Sequence, residues 1–360
     1  MPDSIPVASD LAISLSVLLE RQDRKALRAQ LHAAGSASAG VQTLNLPGRI
    51  SSGRLARLKG RLSAAGMGAF ALGDPEFPRL LAGIPDPPLV FYYRGAIDCL
   101  ADTAIAIVGA RRASRAGQEL ARTLAAELAG AGVVIVSGLA LGVDAAAHLG
   151  ALEAGGRTIA VLGSGADRVT PLANAPLAER ILASGGLLLS EYPPGTPAAP
   201  FRFPERNRLI SGLSRGVVVV EANQRSGSLI TARLAAEQGR EVMAVPGAPG
   251  YQNSIGSNRL LKSGAALIER AEDVLQAIGA EAQSVTPYAS VKLAGRDPAG
   301  LAPDQQALLD LLDGRAQGLA ELAATAGLAE QDCAVALTEL ELAGFVQRVG
   351  GGYIRRPSQF

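Results

Sequence analysis

The sequence has no tryptophan, two cysteines and two histidines in 360 residues, and aromatic residues make up only 4% of it. Cys99 and Cys333 lie far apart, and neither His32 nor His148 stands at ligand spacing from them. Neither a disulfide framework nor a metal centre is expected, and this cysteine usage fits a reducing cytoplasm. With so few rings, stacking cannot be the main term in holding a long polymer. An excess of charge of one sign is missing too: 34 basic residues face 33 acidic ones, for a formal net charge of +1. A site for a polyanion must then be a local patch. No run approaches the ~18 apolar residues of a membrane span, and no basic stretch followed by an apolar one marks a signal peptide. A membrane partner is not expected. What the chain does have is 48% hydrophobic residues against 19% charged, enough for a large core spread over two or three domains.

The first part of the chain carries leucines at helical spacing: Leu11, Leu15, Leu18 and Leu19, then Leu27 and Leu31, then Leu55, Leu58 and Leu62. A small all-helical domain is predicted over 1–72. Beside its last stripe lie Arg54, Arg57, Lys59 and Arg61, a run read as a solvated helix face. Pro75, Pro78, Pro85, Pro87 and Pro88 exclude a continuous helix and predict a connector that wraps the next domain.

From Thr103 the pattern changes. Short continuous apolar runs at 105–108, 133–136, 158–162, 187–189, 217–220 and 242–245 alternate with helical stretches. This predicts a doubly wound α/β domain over 73–280, its parallel sheet covered on both faces. Residues 281–300 read as a linker. Three helices, at 303–312, 319–325 and 329–343, and a hairpin through Phe345 and Tyr353 predict a winged helix over 301–360. Its last helix carries Glu330, Asp332, Glu339 and Glu341 and no lysine or arginine. Such a helix is repelled by a polyanion, so this domain is expected to meet protein instead.

The predicted strand ends share one chemistry. The loops are Gly109-Ala110-Arg111-Arg112-Ala113-Ser114, Ser137-Gly138-Leu139-Ala140-Leu141-Gly142-Val143-Asp144, Gly163-Ser164-Gly165, Ser226-Gly227-Ser228, and Pro246-Gly247 continuing to Gly256 and Asn258. Glycine lets backbone approach a ligand, and helix starts offer N–H groups to anions. Several such loops on one sheet edge predict a phosphate-binding surface. Between two of the strands lies Phe203-Pro204-Glu205-Arg206-Asn207-Arg208, which offers charge, donors and a stacking face.

Neither a G-x-G-x-x-G fingerprint nor a Walker A sequence is present, so NAD and ATP are poor candidates and no cofactor is expected. Asp144 and His148 share a helix face near Ser137, which invites a hydrolytic reading. The serine is not in a nucleophile elbow, so Asp144 is expected to tie the glycine loop and His148 to pack beneath it.

Gly109-Ala110-Arg111, Ser137-Gly138-Leu139-Ala140-x-Gly142-x-Asp144-x-x-Ala147-His148, Phe203-Pro204-x-Arg206-Asn207-Arg208, Ser226-Gly227-Ser228-Leu229-Ile230-Thr231-Ala232 and the upstream Asp86-Pro87-Pro88 resemble the bacterial DprA/Smf family, DNA processing protein A. The helical start resembles the family's SAM-like domain, and the C-terminal block its winged-helix appendage. The resemblance implies a Rossmann-like, homodimeric, non-enzymatic binder of single-stranded DNA. Such a protein protects incoming strands in natural transformation and loads the RecA recombinase, acting against single-stranded DNA-binding protein. Carried over, Arg111 contacts phosphate, Phe203 stacks a base, and Arg206 and Arg208 line or shape the same pocket. The candidate DNA-binding set is Gly109, Arg111, Arg112, Ser137, Gly138, Gly142, Gly163, Gly165, Arg202, Phe203, Arg206, Asn207, Arg208, Ser226, Gly227, Ser228, Gly247, Gly256 and Asn258, with Asp144 and His148 structural. One position departs: Pro200 stands where some members carry a lysine. Two readings stay open there, compensation by Arg202 or weaker binding. Outside this family, a related sheet occurs in nucleotide-cleaving enzymes of the lysine-decarboxylase-like (LOG) type. Their P-G-G-x-G-T-x-x-E motif is absent, since Pro246-Gly247 is followed by Ala248. A pure interaction scaffold with structural arginines is the remaining alternative.

Overall fold

The computed structural model describes residues 9–19, 52–280, 301–312, 317–343, 345–349 and 352–355. Two compact units are resolved, Met1–Thr286 and Pro287–Phe360.

The first unit is built on a nine-stranded sheet. Its strands are β1 (Gly68–Ala71), β2 (Val90–Gly95), β3 (Ala104–Val108), β4 (Val134–Ser137), β5 (Thr158–Leu162), β6 (Leu187–Ser190), β7 (Gly216–Val219), β8 (Glu241–Ala244) and β9 (Ala266–Leu267). They lie in the order β1-β2-β6-β5-β4-β3-β7-β8-β9. From β6 to β9 every pairing is parallel. The inner strands are apolar throughout because both faces are covered. In β3, Ile105 and Ile107 enter one core cluster while Ala104, Ala106 and Val108 enter another, the two-residue period of a pleated strand.

One cluster lies under α4 (Arg115–Gly130), α5 (Val143–Glu153) and α10 (Ala271–Ala277). The opposite face is covered by α7 (Arg202–Gly212) and α8 (Gly227–Glu237). A third cluster joins α1 (Asp10–Leu19), α2 (Ser52–Ala64) and α6 (Ala175–Ala183) to β1, β2, β5 and β6. Helices α3 (Arg79–Ala82) and α9 (Ile255–Lys262) complete this unit's described α-helices. Ser114 caps α4, its hydroxyl accepting from Gly117 N–H at 2.9 Å.

The expected doubly wound α/β fold is present, its strands from β3 to β9 parallel. Two strands not expected from the sequence extend it: β1 and β2 join antiparallel, so that edge is mixed. Residues read as helix end and proline-rich connector supply those two strands, and the expected boundary at 72/73 falls inside the β1–β2 pair. Four-residue apolar runs do not reveal their period. What holds this edge is tertiary, with Phe70 stacked on Tyr93 at 4.8 Å and set edge-on to Phe91 at 5.3 Å. The expected stripe at Leu27 and Leu31, and the 281–300 linker, lie outside the described residues.

The second unit has α11 (Pro303–Leu311), α12 (Leu319–Ala326) and α13 (Glu330–Ala343), followed by the hairpin β10 (Val346–Val349) and β11 (Gly352–Arg355). Leu308, Leu322, Leu337, Leu340 and Tyr353 are in its core. This is the winged-helix arrangement expected from three helices and a hairpin.

Candidate nucleic-acid interface

From β3 the chain winds through β4, β5 and β6 to one side and later through β7, β8 and β9 to the other. The loops leaving β3 and β7 therefore diverge, and a ligand site is expected between them. A cleft of about 560 Å³ opens there. Its walls are Gly109 to Arg112 after β3, Ala140 and Asp144 after β4, Pro200, Phe203, Arg206 and Asn207 at the start of α7, and Asn223, Ser226, Gly227 and Ser228 after β7, with Asn253. Three arginines and one carboxylate line it, a local cationic excess in a chain with a net charge of only +1.

The three arginines play different parts. Arg111 and Arg112 are exposed, and among the described residues their guanidiniums make no hydrogen bond or ion pair. The Arg111 guanidinium lies 5.2 Å from the Phe203 ring centroid. Arg206 is buried, and its Nη1 donates to Gly138 O at 2.8 Å and to Val161 O. Burial draws its pKa down to about 10, against the opposing pull of Asp144.

Asp144 holds the β4–α5 loop, its carboxylate accepting from Gly138 N–H at 3.1 Å and Ala140 N–H at 3.4 Å. Burial raises its pKa, and Arg206 counters that. Between those two N–H groups Leu139 is forced to φ 55°, a left-handed conformation costly for leucine, with its carbonyl accepting from Asn174 Nδ2 at 2.9 Å. Gly138 is required there because a Cβ would lie 2.6 Å from the Arg206 guanidinium. Ser137 Oγ donates to Ile107 O, and His148 Nδ1 meets Thr158 Oγ1 at 2.7 Å. Thr158 donates its proton to Ile135 O, so Nδ1 of His148 is the donor. Burial takes the His148 pKa down to about 3. No hydrogen bond joins any two of Ser137, Asp144 and His148, so they form no hydrolytic set.

Other expected site residues lie elsewhere. Arg208 is drawn off the cleft: Nε donates to Asp86 at 2.8 Å and Nη2 to Glu191 at 2.7 and 2.8 Å. It pins the Asp86-Pro87-Pro88 turn to the sheet. Unlike Pro200, Arg202 is not in the cleft wall. Its guanidinium sits over the rings of Tyr192 and Phe201. Gly163 packs under Phe203, where a Cβ would lie 3.1 Å from the ring. Gly165 packs against Pro193 O, Gly142 against Ala110 O, Gly256 against Ala222 O and Gly247 against Ser254 Oγ, each with no room for a Cβ. Asn258 closes its own loop, exchanging hydrogen bonds with Gly247 N–H and O. These glycines shape the rim by close packing, whereas Gly109, Gly227, Ser226, Ser228 and Asn207 line the cleft.

Sequence reasoning missed Asn253 and Asn223. Asn253 Nδ2 donates to Arg112 O at 3.0 Å and Glu221 at 3.2 Å, and so carries the β8 loop to the β3 loop. It stands just before the run read from Ser254, within reach of the strand-end rule. Glu221 accepts from Ser114 N–H at 2.9 Å and locks the β3 loop to β7. Ser226 caps α8, and α7 begins at Phe201 with no side-chain cap. Both helix starts border the cleft and favour an anion there.

Residues 69–279 match the family described as DNA recombination-mediator protein A, and residues 292–352 match the DprA winged helix domain. Protein Smf of Escherichia coli (strain K12) is 40% identical over 284 residues, 78% of this chain and 76% of that protein. The X-ray structure of DNA processing protein A from Streptococcus pneumoniae is similar with a TM-score of 0.59 at 36% identity, covering 74% of this chain and 92% of that one. DNA processing protein A from Helicobacter pylori, whose structure is described for its single-stranded DNA binding mode, gives 0.52 at 34% identity, covering 58% and 94%.

Proposed function

The chain belongs to the DNA recombination-mediator protein A family, and from that premise we propose that it binds single-stranded DNA in the cleft between β3 and β7. The observation that carries this reading is the pairing of Arg111 with Phe203 at the switch point: a cation that makes no ion pair among the described residues, and a ring, in one cleft. A guanidinium suits a phosphate and a ring suits an unpaired base, whereas a base in duplex hides its face. The protein acts as a homodimer in the cytoplasm. It protects incoming strands in natural transformation and loads the RecA recombinase in competition with single-stranded DNA-binding protein. The family description as a recombination mediator supports that role.

No chemical step is part of this reading. The one carboxylate in the cleft lining, Asp144, is committed to the N–H groups of Gly138 and Ala140. That counts against nucleotide cleavage, which needs a carboxylate free to take a proton.

The test is fluorescence anisotropy with a labelled single strand and the matching blunt duplex across a salt series. The single strand binds tighter, with a log–log salt slope of about −0.7 per phosphate engaged, so about −1.4 for Arg111 and Arg112 together. Arg112→Ala reduces that slope by about 0.7. Equal affinity for duplex, or indifference to salt, overturns the reading.

A further inference from the structure

The start of α7 carries two aromatic faces, and the cleft takes only Phe203. Phe201, at the N-cap position, is 61% exposed. A single exposed apolar side chain is ordinary and decides nothing. What sets Phe201 apart is that it is built into a support. The Arg202 guanidinium sits over the Phe201 ring at 5.4 Å and the Tyr192 ring at 4.8 Å, and its Nη1 donates to Pro197 O. Nε of Arg202 is buried without a partner, so the cation is held there by its two rings and one carbonyl. The Tyr192 hydroxyl donates to Glu205 at 2.9 Å and returns the assembly to α7. Two rings and a guanidinium are thus fixed together with the outermost ring open to solvent. Pro200, its neighbour, lines the cleft, so this platform begins where the cleft wall ends.

A second element reaches the same place. Arg61 of α2 donates to Pro194 O, in the loop that carries Tyr192 and Pro197. Arg54, Arg57 and Arg61 stand three and four residues apart and therefore share a helix face. The segment of α2 has no acidic residue, and Arg57 and Arg61 are exposed. A cationic stripe thus leads away from the platform.

We propose that the single-strand track continues past the cleft: a second base stacks on Phe201, and the backbone beyond it runs along Arg57 and Arg54 of α2. This rests on the single-strand reading above. Residues two apart at a helix start do not face the same way, so Phe201 and Phe203 serve different bases.

The experiment compares the full chain with Phe201→Ala, Phe201→Tyr and Arg57→Gln on labelled oligothymidylates of about four and about sixteen nucleotides. On the long strand Phe201→Ala weakens binding about tenfold, a loss of ~1.4 kcal/mol, and Phe201→Tyr restores it. On the short strand, which the cleft alone accommodates, Phe201→Ala changes affinity by less than about twofold. Arg57→Gln lowers the salt slope by about 0.7 on the long strand only. If the unaltered protein binds both strands and Phe201→Ala matches it on the long one, or weakens both equally, the extension is wrong and the cleft reading stands. If the unaltered protein binds neither strand, both fall.

Discussion

The Arg111 guanidinium and the Phe203 ring meet at 5.2 Å although one leaves β3 and the other opens α7. The contact orients the cation over a ring, at the junction of two loops that the sheet brings together. In the proposed single-strand site the two residues are therefore expected not to contribute independently.

Substituting them singly and together measures that dependence. Arg111→Ala removes a charge-assisted phosphate contact, roughly 1.5–3 kcal/mol. Phe203→Ala removes about 1–3 kcal/mol of stacking. The double variant falls short of the sum by about 0.5–1 kcal/mol, the size of a solvent-exposed cation–π pair. Anisotropy titrations of single-stranded DNA on folded variants read all three losses. Strict additivity would mean that the two residues bind independently.

Arg206→Ala gives a different outcome from Arg111→Ala. Arg206 is 5% exposed and satisfies the carbonyls of Gly138 and Val161, and its charge offsets Asp144. Removing it takes that cation from beside Asp144 and leaves the Gly138 and Val161 carbonyls without this donor, at a cost of about 1–3 kcal/mol of stability for each buried group left unsatisfied. Urea unfolding of Arg206→Ala should show that loss, while Arg111→Ala, an exposed substitution, stays within about 0.5 kcal/mol of the unaltered protein.

His148 makes stability depend on pH. Burial lowers its pKa from 6.5 to about 3, so it is neutral in the fold and protonates first in the unfolded chain. The stability it contributes is present above pH 6.5 and is lost as pH falls from there toward 3. Asp144, with its pKa raised from 3.8 by burial, acts in the opposite direction over a window that extends upward from 3.8. The share of the urea midpoint that belongs to His148 therefore falls between about pH 6.5 and 4.5. The difference between the unaltered protein and His148→Gln, which cannot ionise at that position, measures that share free of Asp144.

The winged helix is expected to contribute little to binding of the strand. On α13 the carboxylates of Glu330, Asp332, Glu339 and Glu341 are all exposed, and Val335 on the same helix is exposed as well. A chain ending at residue 286, where the first compact unit ends, keeps single-strand affinity within about tenfold of the full protein. A larger drop in the same titration would assign DNA contact to this domain.

The apolar runs from 105 to 245 could be read as inner strands because each is covered on both faces and so apolar throughout. Topology followed, since short strands alternating with helices have few ways to wind, and the glycine loops had to fall at the strand ends. The strands β1 and β2 were not legible, being four and six residues whose partners are set by pairing across the chain. Arginine identity says nothing about arginine duty. The motifs offer Arg111 to a phosphate and Arg206 and Arg208 to line or shape the same pocket, yet of the three only Arg111 keeps its guanidinium free of hydrogen bonds and ion pairs. Arg206 meets carbonyls 68 and 45 residues away, and Arg208 a carboxylate 122 residues away. A guanidinium takes whatever acceptors the fold delivers to it, and contacts of that sequence separation exist only once the sheet has formed. Residue types and their spacing thus determined the sheet and the edge that carries the cleft, while tertiary packing decided which cations remain for a ligand.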